Sequence, residues 1–420
     1  MQMIVFEDAQ LTQFGPLTQT RPVFELRCGM LSLLERMSRC LAPSSIRTLV
    51  RPELVRLCRF LWPGRPVNEP ITAGETVVVN GRWLAPYSAT AGLYGPEVGM
   101  VGDTVAWARV PADEAEGLTN DNLPERLAKW AATLPQRPAE GSMLQYPWDL
   151  IELNAAALED DARHWRSHRE VVPPTGLPIQ GPTERVLIDP RAHLEPMVFL
   201  DTTLGPVMID RGAIVKAFSR LQGPCYVGPG TQLNAASFRG SSAGPQCRLG
   251  GEIEESILHG YSNKAHDGFL GHSYLGEWVN LGAGTQTSDL RNDYAPVEVS
   301  LGDHKVKTGR LKIGAYIGDH TKSSIGTLLN TGSVIGPFVM LTAGGLLPRS
   351  LPAFSNVRGG TVTERTDTRE MFTTARVMMA RRQMTWTEAH DDIYLEIYER
   401  TSKQRRAVIG ASEARRRRAV

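Results

Sequence analysis

Between about residues 186 and 357 the apolar and small positions of the chain recur on a beat of about six residues. Each beat is an aliphatic residue, a glycine or other small residue, two variable positions and a further small residue. Val227-Gly228-Pro229-Gly230-Thr231, Leu275-Gly276-Glu277-Trp278-Val279, Ile317-Gly318-Asp319-His320-Thr321 and Ile335-Gly336-Pro337-Phe338-Val339 are copies of it. This period fits neither a helical face nor the alternation of a half-buried strand. It predicts a parallel β-helix, in which each hexapeptide makes a short strand and a corner, with the aliphatic residue inside the prism. Three hexapeptides close a triangular coil of about eighteen residues, and stacking at about 4.8 Å gives roughly eight to nine coils. The beat is interrupted at 239–246 and at 287–310. Insertions in a solenoid project from the prism, often where function lies.

The first part of the chain carries a different pattern. Apolar runs at 3–6, 46–50, 76–80 and 104–108 read as strands, and helical spacing appears at 30–41 and 52–61. Strand and helix in alternation predict a parallel sheet with covering helices. A helical stretch from Tyr146 follows, and then 171–183, where four prolines mark a linker. Beyond residue 360 the pattern turns helical again. Thr385-Trp386-Thr387-Glu388 reads as a capping box, and these helices are expected to cover the open edge of the prism. The expected organisation is an α/β domain at 1–170, a linker at 171–185, the β-helix at 186–360 and a helical extension at 361–420.

Charge narrows the partners. With 46 basic and 45 acidic residues the chain has a net charge of +1, which gives no reason to expect nucleic acid or an anionic membrane. The run Arg415-Arg416-Arg417-Arg418 reads as a solvated tail. Cys28, Cys40, Cys58, Cys225 and Cys247 form no CxxC pair and follow no secretory signal, so reduced thiols in a cytoplasmic protein are expected. No apolar run approaches the length of a membrane span.

In the first part, Pro16-Leu17-Thr18-Gln19-Thr20-Arg21-Pro22 followed by Leu31-Ser32-Leu33-Leu34 resembles the segment after the phosphate loop of sugar-1-phosphate nucleotidyltransferases. That resemblance implies a Rossmann-like domain using UTP and Mg²⁺. The sequence departs from the family at three points. Phe6 is followed by Glu7-Asp8-Ala9-Gln10 in place of a glycine-rich loop, Pro22 by Val23 in place of lysine, and Val79 by Asn80-Gly81-Arg82 in place of Gly-Asp. A departing pyrophosphate needs backbone amides and a metal carboxylate. Arg21, Arg27 and Arg82 are the cations available to a nucleotide in their stead, and Glu7 or Asp8 the carboxylates available to a metal.

Within the hexapeptide region, Lys264-Ala265-His266, Phe269-Leu270-Gly271 and Asn280-Leu281-Gly282-Ala283-Gly284-Thr285 resemble the acetyltransferase motif of the bifunctional N-acetylglucosamine-1-phosphate uridylyltransferase/glucosamine-1-phosphate acetyltransferase family. The resemblance implies a left-handed β-helix, a homotrimer, and acetyl-CoA lying between prisms against Ala283, Gly284 and Thr285. It implies two steps of UDP-N-acetylglucosamine synthesis. Amide formation from a thioester needs a neutral amine, a base for its proton and donors for the oxyanion. His266 is the candidate base, because histidine titrates near physiological pH. Asp267 can orient a ring or hold the amine, and Asn280 can hold the sugar or the histidine. Lys264, Arg239 and Arg248 are candidate phosphate ligands, and Tyr274 a further contact.

Two other readings remain. The same fold carries zinc carbonic anhydrases, and His259, His266 and His272 are near one another in sequence. A trimeric scaffold that holds a nucleotide sugar without turnover is the second; the departures in the first domain favour it there.

Overall fold

The computed structural model describes residues 1–89, 95–342, 345–359 and 361–418, the last four of these without side chains. The Arg415, Arg416, Arg417 and Arg418 side chains therefore lie outside the described residues. Two compact units are present. One comprises Met1–Phe14 and Arg21–Tyr146, the other Gly15–Thr20 and Pro147–Val420.

The first unit is built on a six-stranded sheet. Gln2–Phe6 lies between Ser45–Leu49 and Thr76–Asn80, parallel to both. The four residues from Met3 to Phe6 are buried, as their unbroken apolar run requires of a central parallel strand. Helix Leu33–Leu41 follows Ser32, whose hydroxyl accepts from Glu35 N (3.2 Å) while Glu35 Oε2 accepts from Ser32 N (2.8 Å). The sheet is not parallel throughout. Thr104–Val110 runs antiparallel to Thr76–Asn80 and to Glu97–Val101. The reason is local: Glu97–Val101 and Thr104–Val110 form a hairpin whose turn holds Gly102 at φ 56°, so no helical crossover reverses the chain between them.

The second unit is a left-handed β-helix with helices laid on it. One face is a nine-stranded parallel sheet running from Val186–Ile188 through Val207–Ile209, Cys225–Val227 and Tyr274–Glu277 to Ser350–Leu351. The aliphatic residue of each beat points inward: Val227, Leu275, Ile317 and Ile335 belong to one core cluster with Cys225 and Cys247. All five cysteines are free thiols. Helices Pro147–Glu152 and Asn154–His168 cover the outside of this sheet. Trp148 packs on Tyr316 and Trp165 on Tyr226, with ring centroids 6.4 and 6.3 Å apart, and Asn154 Oδ1 accepts from Ser242 Oγ (2.9 Å).

Of the two expected interruptions, one is an excursion and one is not. Tyr274 pairs with Tyr316 across the chain between them, which includes the hairpin Glu298–Leu301 and His304–Lys307. The stretch 239–246 stays in the prism, where Arg239 and Ser242–Ala243 pair with the coils on either side. The beat is lost there because the coil contracts.

The C-terminal helices divide their work. Along one corner of the prism, Tyr261, Trp278, His320, Phe338 and Phe354 all take left-handed backbone, with φ of 54, 60, 58, 57 and 57°. Their rings stack in succession at 4.5, 6.2, 4.6 and 5.0 Å. Left-handed backbone costs a non-glycine residue about 1–2 kcal/mol, and each aromatic pair returns about 0.5–1.5 kcal/mol beyond burial. Helices Thr368–Ala380 and Glu388–Arg400 pack on this ladder through Phe372 and Tyr394, whose rings lie 6.0 and 5.0 Å from Phe338. They lie along a corner, contrary to the expectation of an end cap. Ser402–Arg418 does reach the end, with Ile409 against the core cluster. The helix Glu388–Arg400 is capped by Thr387 with His390 (3.0 Å), two residues later than the expected box. Among the described residues no helix is long and apolar enough to cross a membrane.

Candidate functional site

Above the His266 motif one corner of the prism flattens. Gln232–Arg239 and Arg248–Glu254 run as continuous strands across two faces. Arg248–Glu254 pairs Leu249 with Lys264 and Glu252 with Phe269. Two residues, Gly250 and Gly251, therefore stand opposite the four of 265–268. The longer turn must project, and His266 and Asp267 are the exposed residues in it. Gly251, at φ 70°, is required for this. A Cβ there would lie 2.9 Å from His266 O, Gly268 O and Lys264 Nζ.

On its other side the turn meets the segment of the glycine-rich motif. Gly284 N donates to Asp267 O (3.2 Å), and Phe269 N donates to Gln286 Oε1 (2.7 Å). Thr285 is buried, with its hydroxyl against Gly282 O (2.7 Å) and Ser323 Oγ (2.8 Å). Ala283 and Gly284 are half-buried. His266, Asp267, Ala283, Gly284 and Thr285 are thus brought together on two stacked turns.

Asn280 sits one face away. It forms a row with Asn263, whose Nδ2 donates to Asn280 Oδ1 (3.2 Å). Arg382, just past the helix Thr368–Ala380, donates to Asn263 Oδ1 (2.8 Å) and to Gln246 O (3.3 Å). Sequence reasoning did not single out Arg382 or Asn263, because the partners are 119 residues apart.

Other expected ligands are placed differently. Lys264 is 2% exposed, and its ammonium donates to Gly250 O (2.8 Å) and His266 O (3.1 Å). Burial pushes its pKa down to about 8, against the pull of Asp267 and Glu252. It holds the turn from within and does not face a phosphate. Tyr274 is fully buried, its hydroxyl 2.9 Å from His259 Nδ1, and offers no surface contact. The contact with His259, fifteen residues away on the neighbouring coil, is one the sequence pattern does not reveal. Arg239 is paired with Glu254. Arg248 donates to Gly230 O (2.9 Å) and Cys247 O (2.8 Å), and burial followed by the neighbouring Arg382 lowers its pKa.

The three histidines do not converge. His259 is buried against Tyr274. His266 is exposed on the projecting turn. His272 is held between Asp289 (2.7 Å) and Glu255 (3.2 Å). Among the described residues no group of His, Cys, Asp and Glu is arranged to hold a metal ion.

In the first unit the C-terminal ends of Gln2–Phe6, Ser45–Leu49 and Thr76–Asn80 meet at the point where strand order reverses, the usual ligand crevice of such a sheet. The acids there are engaged. Glu7 accepts from Arg51 Nη1 (2.6 Å), Arg51 N (3.1 Å) and Val23 N (3.1 Å). Burial raises its pKa against the opposing pull of Arg51. Asp8 accepts from Arg82 Nε (2.7 Å) and Asn80 Nδ2 (2.8 Å). Arg82 is buried and also bonds Leu144 O, Arg27 bonds Met30 O, and Arg21 is buried. Two carboxylates already chelated by guanidinium groups do not fit Mg²⁺, and Arg82 is not free for a nucleotide.

Residues 3–170 match the family model described as sugar nucleotidyl transferase. The chain is 33% identical over 100 residues to a bifunctional sugar-1-phosphate nucleotidylyltransferase/acetyltransferase of Sulfurisphaera tokodaii, covering 24% of this chain and 25% of that protein. It is 27% identical over 217 residues to the bifunctional protein GlmU of Methanocaldococcus jannaschii, covering 49% and 44%. An uncharacterized acetyltransferase of Escherichia coli K12 is 24% identical over 217 residues, covering 48% of this chain and 91% of that one. The matches to the two bifunctional relatives thus span less than half of their length.

Proposed function

We propose that the β-helix unit transfers an acetyl group from acetyl-CoA to the amine of a hexosamine phosphate of the glucosamine-1-phosphate kind. The observation that carries this reading is the 265–268 turn, which holds His266 and Asp267 in solvent beside the backbone of Ala283 and Gly284. His266 takes a proton from the amine as its nitrogen bonds to the thioester carbon. The tetrahedral centre then collapses, the C–S bond breaks, and the thiolate of CoA receives that proton. The CoA arm lies along 283–285, between neighbouring prisms of a homotrimer in the cytoplasm. Asn280 and Asn263 hold sugar hydroxyls. Burial lowers the proton affinity of Arg248 and the charge of Arg382 lowers it further, and an anion beside the two guanidinium groups relieves that repulsion. We therefore assign the sugar phosphate to these two arginines and not to the buried Lys264.

For the first unit the name of the Sulfurisphaera tokodaii relative suggests nucleotidylyl transfer to a sugar-1-phosphate, and the motif resemblance suggests UTP as the donor. The internal ion pairs Glu7–Arg51 and Asp8–Arg82 favour the second reading, a domain that holds a nucleotide sugar without turnover.

A two-part assay tests both. CoA release is followed with glucosamine-1-phosphate and acetyl-CoA, and pyrophosphate release with UTP and N-acetylglucosamine-1-phosphate. Acetyl transfer is expected in the wild type and a loss of about 10²–10⁴-fold in His266→Ala. Full activity in that variant, or no CoA release from any hexosamine phosphate, overturns the first proposal. Pyrophosphate release overturns the second. Light scattering checks the trimer.

A further inference from the structure

Amide formation puts a negative charge on the carbonyl oxygen of the thioester. His266 supplies the base, and a hydrogen-bond donor for that charge is required as well. Gln286 follows the 282–285 turn directly, and its side chain is exposed. It reaches across to the end of the His266 turn, where its Oε1 accepts from Phe269 N (2.7 Å). A backbone N–H can be met only by the oxygen of a side-chain amide, so Nε2 is the end left for a ligand. Among the described residues Nε2 has no acceptor.

The two turns that frame this amide pack closely. Gly284 N donates to Asp267 O (3.2 Å), and a Cβ on Gly268 would collide with Thr285 O. Other donors there are largely spent. Thr285 N donates to Gly282 O (3.1 Å) and Gln286 N to Thr327 O (2.9 Å). The Lys264 ammonium is buried on two carbonyls, and Arg239 is held by Glu254. The backbone amides of Ala283 and of 266–268 bond nothing in the chain among the described residues, and they can share the charge with a side-chain donor.

We infer that Gln286 is a catalytic residue of the acetyl transfer, its Nε2 donating to the thioester oxygen as that oxygen becomes an oxyanion. The inference rests on the acetyl-transfer reading of the His266 turn. As the amine nitrogen bonds to the thioester carbon, the carbonyl π pair moves onto oxygen and meets Nε2–H. When the C–S bond breaks, the pair returns to the carbonyl. Gln286 gains and loses no proton. Its anchored Oε1 holds the amide in place before the charge develops, which is what makes such a donor effective.

Steady-state CoA release by the full chain, with glucosamine-1-phosphate and acetyl-CoA, tests this in two variants. Gln286→Glu keeps an oxygen for Phe269 N and removes the donor; Gln286→Met removes both. Each changes an exposed side chain, so both are expected to fold with melting temperatures close to that of the wild type. A donor predicts a fall in kcat of about 10²-fold or more in both variants, with the KM for acetyl-CoA within about threefold of the wild type. A clamp on the turn and nothing more predicts that only the methionine variant suffers. A carboxylate that merely repelled CoA would act on KM. Gln286→Glu that keeps kcat to within about threefold, or a loss carried by KM alone, therefore overturns the inference. His266→Ala, measured alongside, separates the two claims. CoA release lost in that variant but kept in Gln286→Glu removes only Gln286 from the mechanism. No CoA release from the wild type overturns the acetyl-transfer reading itself, and the role of Gln286 with it.

Discussion

Replacing Lys264 by methionine separates the two tasks a buried lysine can have. The side chain is 2% exposed and its ammonium rests on the carbonyls of Gly250 and His266. Burial lowers its pKa from 10.5 to about 8. At about 1.4 kcal/mol per pKa unit, holding the charged form in the folded chain costs about 3 kcal/mol. In the unfolded chain the lysine keeps its proton up to 10.5, and in the folded chain it releases it near 8. Between those values the unfolded state binds more protons, so stability rises with pH. The penalty is fully present below about pH 8 and relieved as pH approaches 10.5. Methionine has similar length and no titration. Urea unfolding of the full chain, wild type against Lys264→Met, is therefore expected to show the wild type gaining about 2–3 kcal/mol on the variant between pH 7 and pH 10. The other titrating groups are shared by the two proteins and cancel in the difference. A difference that stays constant to within about 0.5 kcal/mol across that range would mean that Lys264 is solvated, and the account of the turn fails.

Three further outcomes follow from particular contacts. Phe338→Ala removes a ring stacked on His320 and Phe354 and is expected to cost about 3–5 kcal/mol in urea unfolding; Phe338→Gly, better suited to φ 57°, should recover about 1 kcal/mol of the backbone cost, and a loss below about 1 kcal/mol in the alanine variant refutes the ladder's role. Tyr274→Phe loses the bond to His259 and should cost about 1 kcal/mol without moving the KM for acetyl-CoA or the amine; a several-fold KM change would return Tyr274 to the site. Asp289→Asn weakens the hold on His272, whose pKa burial opposes but Asp289 and Glu255 raise from 6.5 to about 9. That stabilisation is complete below 6.5 and lost as pH rises through about 9, so the variant should be about 1–2 kcal/mol less stable at pH 6 and equal to the wild type near pH 10; a pH-independent difference excludes the ion pair as its source.

Much of the architecture was legible in the chain because it rests on short-range pattern. The six-residue beat is a local rule, with Leu275, Ile317 and Ile335 inside and glycine beside them, and it declares the β-helix wherever it occurs. The strand Gln2–Phe6 and the box at Ser32 and Glu35 are local in the same sense. The motif from Lys264 to Thr285 was found as a break in that rhythm.

The folded chain decided what the break does. His266 projects because Gly250 and Gly251 shorten the coil above it, a relation between rungs that appears only once register is fixed. The same register turned Lys264 inward and buried Tyr274 against His259. It aligned Tyr261, Trp278, His320, Phe338 and Phe354 into one ladder, although their spacing of one coil, or more across the excursion, was written in the sequence. Arg382 reached Asn263, and Arg51 and Arg82 engaged Glu7 and Asp8, through contacts between distant segments. A sequence states which residues are apolar, small or charged. Which charges are spent on one another, and which are left for a ligand, depends on distances that packing sets.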